Sequence, residues 1–247
     1  MHRRIIGIAV ALIVVCVGCV KYDERIELNP DGSGVVRMHL SIVEQAMPPT
    51  AAKEIRTEDD LLPMPRAELV KDLEKDGFTV KSLRAESLKG MRHFYVVLAF
   101  KDLAVLTRSE WFGKRKAGLR RVGAKWGFTQ EISMSEETLT GRSGLKPVEK
   151  KPGPDGKPQK PRTMGDSIIK QLESRFGKKR VRDMLKSYHV SFSVRLKGAG
   201  LLKTNGENHR DHTAIWSIPL NQLIGKKPTI RMSAEFAGAE APPTVKE

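Results

Sequence analysis

Alternation between apolar and polar residues is the feature that most restricts how this chain can fold. Apolar side chains occupy every second position in the segments 36–42, 190–196 and 230–236, and polar or small side chains stand between them. Successive side chains of a β-strand point to opposite faces, so this period of two is typical of a strand with one buried face. Strands of this kind need a second layer of structure to cover their apolar side.

Turn residues lie between several of the predicted strands. The Asn-Pro-Asp-Gly-Ser-Gly sequence at 29–34 predicts a β-hairpin that begins directly after the N-terminal segment. A second strand pair is expected to turn near Lys89-Gly90, and a third turn is expected at Asn205-Gly206. Residues 94–100 are apolar on both faces, which predicts a central strand that is covered on both sides.

Apolar residues recur at helical spacing elsewhere in the chain. The spacing predicts a helix that begins at Pro65, a short helix over 101–108, and a helix that begins at Asp166 or Ser167 and continues past Gly177. Together these elements predict an α+β fold, in which a curved antiparallel β-sheet packs against two or three α-helices.

The domain organisation follows from composition. Residues 1–18 are expected to be a signal peptide, residues 19–238 an α+β ectodomain, and residues 239–247 a disordered tail. A flexible insertion rich in Pro and Lys is expected at about 141–163, because its central part, 146–162, has five prolines and six basic residues and cannot bury enough surface to offset its ordering entropy. The insertion could divide two domains, but neither half has many strands, which favours one domain.

The N-terminus has the pattern of an export signal. Two arginines, Arg3 and Arg4, precede an apolar run at 5–17, and Gly18-Cys19 follows. A basic region followed by an apolar region of this length is typical of a secretory signal peptide. The alternative is an uncleaved membrane anchor over residues 5–20, which is shorter than the roughly 20 apolar residues that a transmembrane helix needs.

Cysteine usage favours lipidation at Cys19. Both cysteines, Cys16 and Cys19, belong to this N-terminal segment. Val17-Gly18-Cys19 is similar to the lipobox of bacterial lipoproteins, in which a small residue precedes the acylated cysteine. Cys16 follows the bulky Val15 and is the poorer acceptor. Lipid on Cys19 would hold the protein to a membrane, and the exported domain would contain no thiol for catalysis or metal binding.

Several local sequences resemble one protein family. They are the Gly-Cys-Val-Lys-Tyr start at 18–22, the turn at 29–34, the Phe-Lys-Asp-Leu segment at 100–103, and the closing strands from Asn205-Gly206 to Trp216. These features resemble the LppM-like family of bacterial lipoproteins over most of residues 19–238, apart from the insertion. The resemblance implies an envelope protein whose α+β ectodomain handles lipid or glycolipid, and it brings no catalytic residues. Family members often carry a C-terminal membrane helix, which is not expected in the Pro-containing residues 241–247.

Two basic clusters are candidates for contact with an anionic surface. The first, called the basic aromatic segment below, contains Trp111, Lys114, Arg115, Lys116, Arg120 and Arg121. The second contains Lys178, Lys179, Arg180, Arg182 and Lys186. Cations beside indole rings suit an anionic bilayer, where each cation contributes about 1 kcal/mol. The alternative is a solvated basic face with its tryptophans in the core. The net charge of +15 also suits an acidic polymer, but export makes nucleic acid an unexpected partner.

Other motifs favour no enzymatic function. His209 and His212 belong to a predicted loop and are interpreted as solvated rather than metal-binding. Ser143 and Lys146 have the spacing of a serine nucleophile pair but lead into the proline-rich insertion. We therefore expect no catalytic residues, metal or cofactor. The expected function is that of a membrane-anchored, non-enzymatic envelope lipoprotein that binds lipid or an envelope component. The alternative is a structural or assembly lipoprotein that binds a protein partner.

Cys19→Ser tests the anchor. Without its thiol the chain cannot be acylated, so we expect maturation to stop and the unprocessed precursor to accumulate. Mass spectrometry of the N-terminal peptide from membranes checks this outcome. An intact, unlipidated N-terminus in the wild-type protein would show that the lipoprotein interpretation is wrong.

Overall fold

A computed structural model describes residues 20–43, 57–62, 64–109, 111–112, 115–133, 173–174, 177–209, 212–223 and 229–238. The signal segment with Cys19, the predicted insertion, the predicted helix start at Asp166 or Ser167, and the tail after residue 238 lie outside these residues. Every statement about structure below concerns the described part of the chain.

Most of the described elements are strands. The strands are β1 (Val20–Leu28), β2 (Gly34–Val43), β3 (Thr79–Leu88), β4 (Met91–Phe100), β5 (Arg115–Val122), β6 (Lys125–Ser133), β7 (His189–Leu196), β8 (Gly200–Thr204), β9 (Glu207–His209), β10 (Thr213–Pro219) and β11 (Thr229–Ala237). The helices are α1 (Arg66–Lys75), α2 (Ala104–Arg108), α3 (Lys178–Ser187) and α4 (Leu220–Leu223), and a 3₁₀ turn covers Glu58–Leu61. The structure is thus α+β in the broad sense, with a large excess of strands.

The strands form two sheets, where the sequence predicted one. Sheet A has seven strands in the order β3-β4-β2-β1-β7-β10-β9, and sheet B has four in the order β5-β6-β11-β8. The expectation of purely antiparallel pairing is also wrong, because β1 and β7 run parallel. Parallel neighbours need a long crossover connection. The chain supplies one between β6 and β7, where it leaves sheet B, passes through α3 and enters sheet A again.

Both sheets combine strands from the two sides of the segment 134–172, which lies outside the described residues. Sheet A takes β1 to β4 from before this segment and β7, β9 and β10 from after it. Sheet B takes β5 and β6 from before it and β8 and β11 from after it. Neither sheet can therefore be completed by one half of the chain.

The predicted hairpins between β1 and β2 and between β3 and β4 are confirmed. In the first, the Asn29 amide donates to the Ser33 carbonyl at 2.8 Å, and the Asp31 carboxylate accepts hydrogen bonds from the amide and hydroxyl of Ser33. In the second, Lys89 and Gly90 both have positive φ, as the two central residues of a tight hairpin turn require.

Strand β5 was not predicted. It belongs to the basic aromatic segment, and its pattern is hidden because a charged residue, Arg115, occupies an inward position next to Ala117 and Leu119. An arginine at a core position breaks the alternation from which strands are recognised in a sequence.

Strand β4 is covered on one side only, which corrects the expectation of a strand covered on both sides. Phe94, Leu98 and Phe100 are buried, whereas His93 and Tyr95 on the opposite face are partly exposed. The inner face of sheet A packs on sheet B, and the ring of Trp216 in β10 lies 6.4 Å from that of Phe128 in β6. The outer face of β4 carries aromatic but polar side chains.

A buried ion pair crosses between the two sheets. Glu24 in β1 is 2% exposed and Arg115 in β5 is 7% exposed. The guanidinium Nη1 donates to Glu24 Oε1 at 2.5 Å, and its Nε donates to the Phe112 carbonyl at 2.7 Å. The half-buried Tyr22 donates its hydroxyl to the second oxygen of Glu24. The Arg115 guanidinium also lies over the rings of Phe112 and Phe192.

The protonation states agree with this arrangement. Burial by itself lowers the pKa of Arg115, but Glu24 and Tyr22 together more than offset that effect and hold this pKa above its ordinary value. Burial, and then the Glu24 charge, raise the pKa of the Tyr22 hydroxyl, which stays a donor. The carboxylate oxygens of Glu24 thus accept hydrogen bonds from Arg115 in β5 and from Tyr22 in β1.

Arg115→Met should lower the free energy of unfolding by about 3–5 kcal/mol, because it leaves the Glu24 carboxylate buried without its counter-charge. Urea unfolding of residues 20–247, which retain every described element, measures this. The double variant Glu24→Gln, Arg115→Met removes both charges and should recover a large part of the loss. The surface pair Glu131 and Arg231, 3.1 Å apart, is the control, and Arg231→Met should cost less than about 1 kcal/mol. Equal effects of Arg115→Met and Arg231→Met would contradict the role assigned to the buried pair.

Candidate functional site

The N-terminal end of β1 is the place where the predicted lipid would be attached. Val20 is the first residue of β1, and Cys19 precedes it directly in the chain. The residue that would carry the lipid is therefore bonded directly to the first residue of sheet A. We call this end of the sheet the anchor end.

The tip of the hairpin between β3 and β4 lies at the anchor end. The register pairs Val20 with Ile42 and Met91 with Val43, which places the Lys89-Gly90 turn at the same end as Val20. Leu88, next to this turn, is 54% exposed although its side chain is large and apolar. An exposed leucine beside a lysine is common at surfaces that contact lipid headgroups.

Helix α3 reaches the anchor end from the other side. It ends at Ser187, two residues before the start of β7, and β7 is parallel to β1 with Val190 beside Tyr22. The helix packs against α4, which begins where β10 ends at this same edge of the sheet. The Leu220 amide donates to the Tyr188 carbonyl at 2.8 Å and fixes this corner.

Helix α3 carries the second basic cluster on its exposed side. Val181 and Leu185 are buried and hold the helix to the fold. The five basic residues of the cluster are all exposed, and Asp183 is the one acidic residue of the helix. The net positive charge of α3 therefore faces solvent next to the anchor end. The members of this cluster are Lys178, Lys179, Arg180, Arg182 and Lys186.

The basic aromatic segment does not form one surface. Arg115, predicted to face an anionic surface, is instead buried against Glu24, which corrects that expectation. Trp111 is partly buried, packs against the core, and has its indole nitrogen shielded from solvent. Lys114 lies outside the described residues. Lys116, Arg120 and Arg121 are exposed.

The exposed part of this segment lies away from the anchor end. Ala117 to Leu119 and Trp126 line a crevice of about 330 Å³ together with Pro30 to Gly32, which form the turn at the far end of β1. Arg121 stacks its guanidinium 5.6 Å from the Trp126 ring, at the tip of the hairpin between β5 and β6. The nine residues of β1 span about 26 Å at roughly 3.3 Å per step, so this crevice lies a whole strand length from the anchor end.

Three residues on the outer face of sheet A have the order of a serine hydrolase triad. Ser41 Oγ lies 3.1 Å from His39 Nε2, and His39 Nδ1 lies 3.9 Å from Asp23 Oδ2. Burial and then the neighbouring His93 lower the pKa of His39. Ser41 is only 1% exposed and lies near the end of β2, covered on both sides by β1 and β4. A nucleophile needs access to its substrate and free amides for an oxyanion, and this position favours neither.

A second surface depression is an open groove of about 910 Å³ between the 3₁₀ turn and α1. Leu62, Met64 and Val70 supply apolar surface, and Asp59, Arg66 and other charged residues also line it. Pockets that bury acyl chains enclose most of the ligand, and this groove is open to solvent. No helix in the described ranges is long and apolar enough to cross a membrane.

Comparisons with known proteins give one structural similarity. No family of known proteins matches the sequence, and no curated protein matches it. The NMR structure of the folded domain of the Mycobacterium tuberculosis LppM protein is similar with a TM-score of 0.42 and 12% sequence identity, over 93% of this chain and 94% of that one.

Trp111→Ala separates a core role from a surface role. Because the ring packs against the core, we expect a loss of unfolding free energy of about 3 kcal/mol, at the low end of the range for a tryptophan since the ring is partly exposed. Binding to anionic vesicles should not change in the fraction that is folded. Val122→Ala, at the exposed hairpin tip, is the control and should leave the melting temperature unchanged. A stable Trp111→Ala protein with weakened vesicle binding would restore the surface role.

Proposed function

We propose that this protein is an envelope lipoprotein without enzymatic activity, attached through lipid on Cys19, whose anchor end lies on an anionic membrane surface. The observation that carries the proposal is the position of α3. Its exposed cations and the hairpin tip with Leu88 stand on either side of the strand that begins one residue after Cys19. The domain would then present its remaining surface to lipid or to another envelope component.

Charge and geometry support this orientation. An anionic leaflet attracts each nearby cation by about 1 kcal/mol, and the attraction falls within a screening length of about 8 Å at physiological salt. Cations held near the anchor end therefore contribute most. Helix α3 ends two residues before β7 at this end, whereas the hairpin between β5 and β6 lies beside the turn at the opposite end of β1.

A protein partner is the second candidate, and the strand edges bear on it. Some backbone groups of edge strand β3 are not available to a partner strand, because the Ala85 amide donates to Glu58 and the Leu83 carbonyl accepts from Arg66. Edge strand β5 is similarly occupied where the Ala117 amide donates to a threonine hydroxyl of α2. Strand β8, the other edge of sheet B, has the exposed apolar side chain of Leu202 and suits the addition of a partner strand.

Vesicle sedimentation with residues 20–247 tests the orientation. The triple variant Lys178→Gln, Lys179→Gln, Arg180→Gln removes three exposed cations from α3. At about 1 kcal/mol per cation or less, binding to vesicles with about 30 mol % anionic lipid should fall by roughly tenfold to a hundredfold. Binding should also weaken as salt rises, because the attraction is screened.

The matched control is Arg120→Gln, Arg121→Gln, Lys125→Gln at the hairpin tip between β5 and β6. It removes the same net charge from a position far from the anchor end, so binding should fall by less than about threefold. A larger loss in this control than in the α3 variant would show that the basic aromatic segment is the docking surface. Equal binding of the wild type to neutral and anionic vesicles would end the membrane-surface proposal altogether.

A further inference from the structure

Two imidazoles and a hydroxyl converge on the outer face of sheet A near the anchor end, where Ser41 pairs with Lys21 on one side and with His93 on the other. His39 and Ser41 belong to β2 and His93 belongs to β4. His39 Nε2 lies 3.1 Å from His93 Nδ1, and Ser41 Oγ lies 3.1 Å from the first nitrogen and 3.0 Å from the second. The three donor atoms thus form a nearly equilateral triangle, which the proposed membrane contact does not use.

Hydrogen bonds can satisfy each of the three atoms, but they cannot run along all three contacts at once. An imidazole nitrogen either donates or accepts but cannot do both, so the contact between the two nitrogens requires one of each. Ser41 supplies one further proton. Two protons therefore serve three short contacts, and at least one contact is left without a well-directed hydrogen bond. A cation bound by all three atoms would satisfy them together.

We propose that His39 Nε2, His93 Nδ1 and Ser41 Oγ form a binding site for a divalent transition-metal ion of the class that includes Zn²⁺ and Cu²⁺. Imidazole nitrogens are suitable ligands for these ions, and zinc binds them at about 2.0–2.1 Å. An ion at that distance from all three atoms stands about 1 Å above the plane of the triangle. The remaining coordination positions face solvent, because the His39 side chain is 31% exposed.

Neighbouring residues hold the rings in the required orientation. Asp23 Oδ2, 3.9 Å from His39 Nδ1, favours a proton on that nitrogen and leaves Nε2 free to bind a metal. The Tyr95 ring stacks on His39 at 4.4 Å with an angle of 7°, and its hydroxyl donates to Glu86. Carboxylate, imidazole and metal in this order are common in metal sites of proteins.

The site combines only two residues of the types that bind metals most often. No three His, Cys, Asp or Glu side chains within the described ranges are grouped so that they could hold a metal. The third donor here is a hydroxyl, which binds zinc more weakly than an imidazole does. We therefore expect a dissociation constant in the micromolar range, about 8 kcal/mol of binding free energy.

Calorimetric titration of the full chain with Zn²⁺ tests the proposal, with the protein purified in detergent and without a polyhistidine tag. We expect one Zn²⁺ per chain. His39→Gln and His93→Gln should each weaken binding at least tenfold, and Asp23→Asn should weaken it by about tenfold through the orientation of His39. His189→Gln changes an exposed strand histidine outside the triangle, and it should bind as the wild type does.

Spectroscopy distinguishes the site from adventitious binding. Co²⁺ bound by nitrogen in a site of low symmetry absorbs strongly in the visible range, and this band should appear in the wild type and in His189→Gln but not in His39→Gln. Ser41→Ala keeps both imidazole rings, so it should retain a weakened Co²⁺ absorption band. This variant tests the third donor if a histidine variant fails to fold. Unchanged Zn²⁺ affinity in folded His39→Gln and His93→Gln, or no Zn²⁺ binding by the wild type, would overturn the proposal.

Discussion

The ion pair between Glu24 and Arg115 is the interaction on which the arrangement of the two sheets depends. The two residues are 91 positions apart, one in the central strand of sheet A and one in an edge strand of sheet B. Each charge is stable in the core only because the other is there, since an isolated buried charge costs several kcal/mol. An apolar contact tolerates sliding, whereas this pair with its hydrogen-bonded Tyr22 permits one register of β5 over β1. Its contribution is therefore to specificity more than to stability.

The route of the chain explains why the anchor end has its particular composition. Because β7 runs parallel to β1, the element that precedes β7 must lie at the end where β1 begins. That element is α3, which carries the second basic cluster. The parallel pair thus brings α3, more than 150 residues further along the sequence, close to the end of β1 where the proposed lipid would be attached. The hairpin between β5 and β6 instead lies beside the turn at the opposite end of β1.

The two faces of sheet A carry different kinds of side chain. Its inner face buries apolar side chains against sheet B and contains the Glu24–Arg115 pair. Its outer face keeps partly exposed polar aromatic residues, among them His39, His93 and Tyr95 in a stack. Successive side chains of a strand point to opposite faces of the sheet. The same strand can therefore pack the core with one set of side chains and present the proposed metal ligands with the other.

Much of the local structure can be predicted from the sequence, because it depends on neighbours along the chain. The hairpin turns at 29–34 and Lys89-Gly90 follow from residues that tolerate their backbone angles, and the inward sides of β2, β7 and β11 follow from alternation. Local patterns failed where a residue's role depends on a distant partner. Arg115 looks like a surface cation until Glu24 is placed opposite it.

The sequence by itself determined the excess of strands and which faces of most strands are apolar, and its export signal with Cys19 stays a prediction. Only the tertiary structure decided how many sheets form, that β1 and β7 are parallel, which basic cluster lies beside the anchor, and that His39 and His93 meet. The physical reason is that alternation records whether a side chain is buried but not which strand lies next to it. Pairing between strands is settled by packing and by the few buried charges that must find one another across the core.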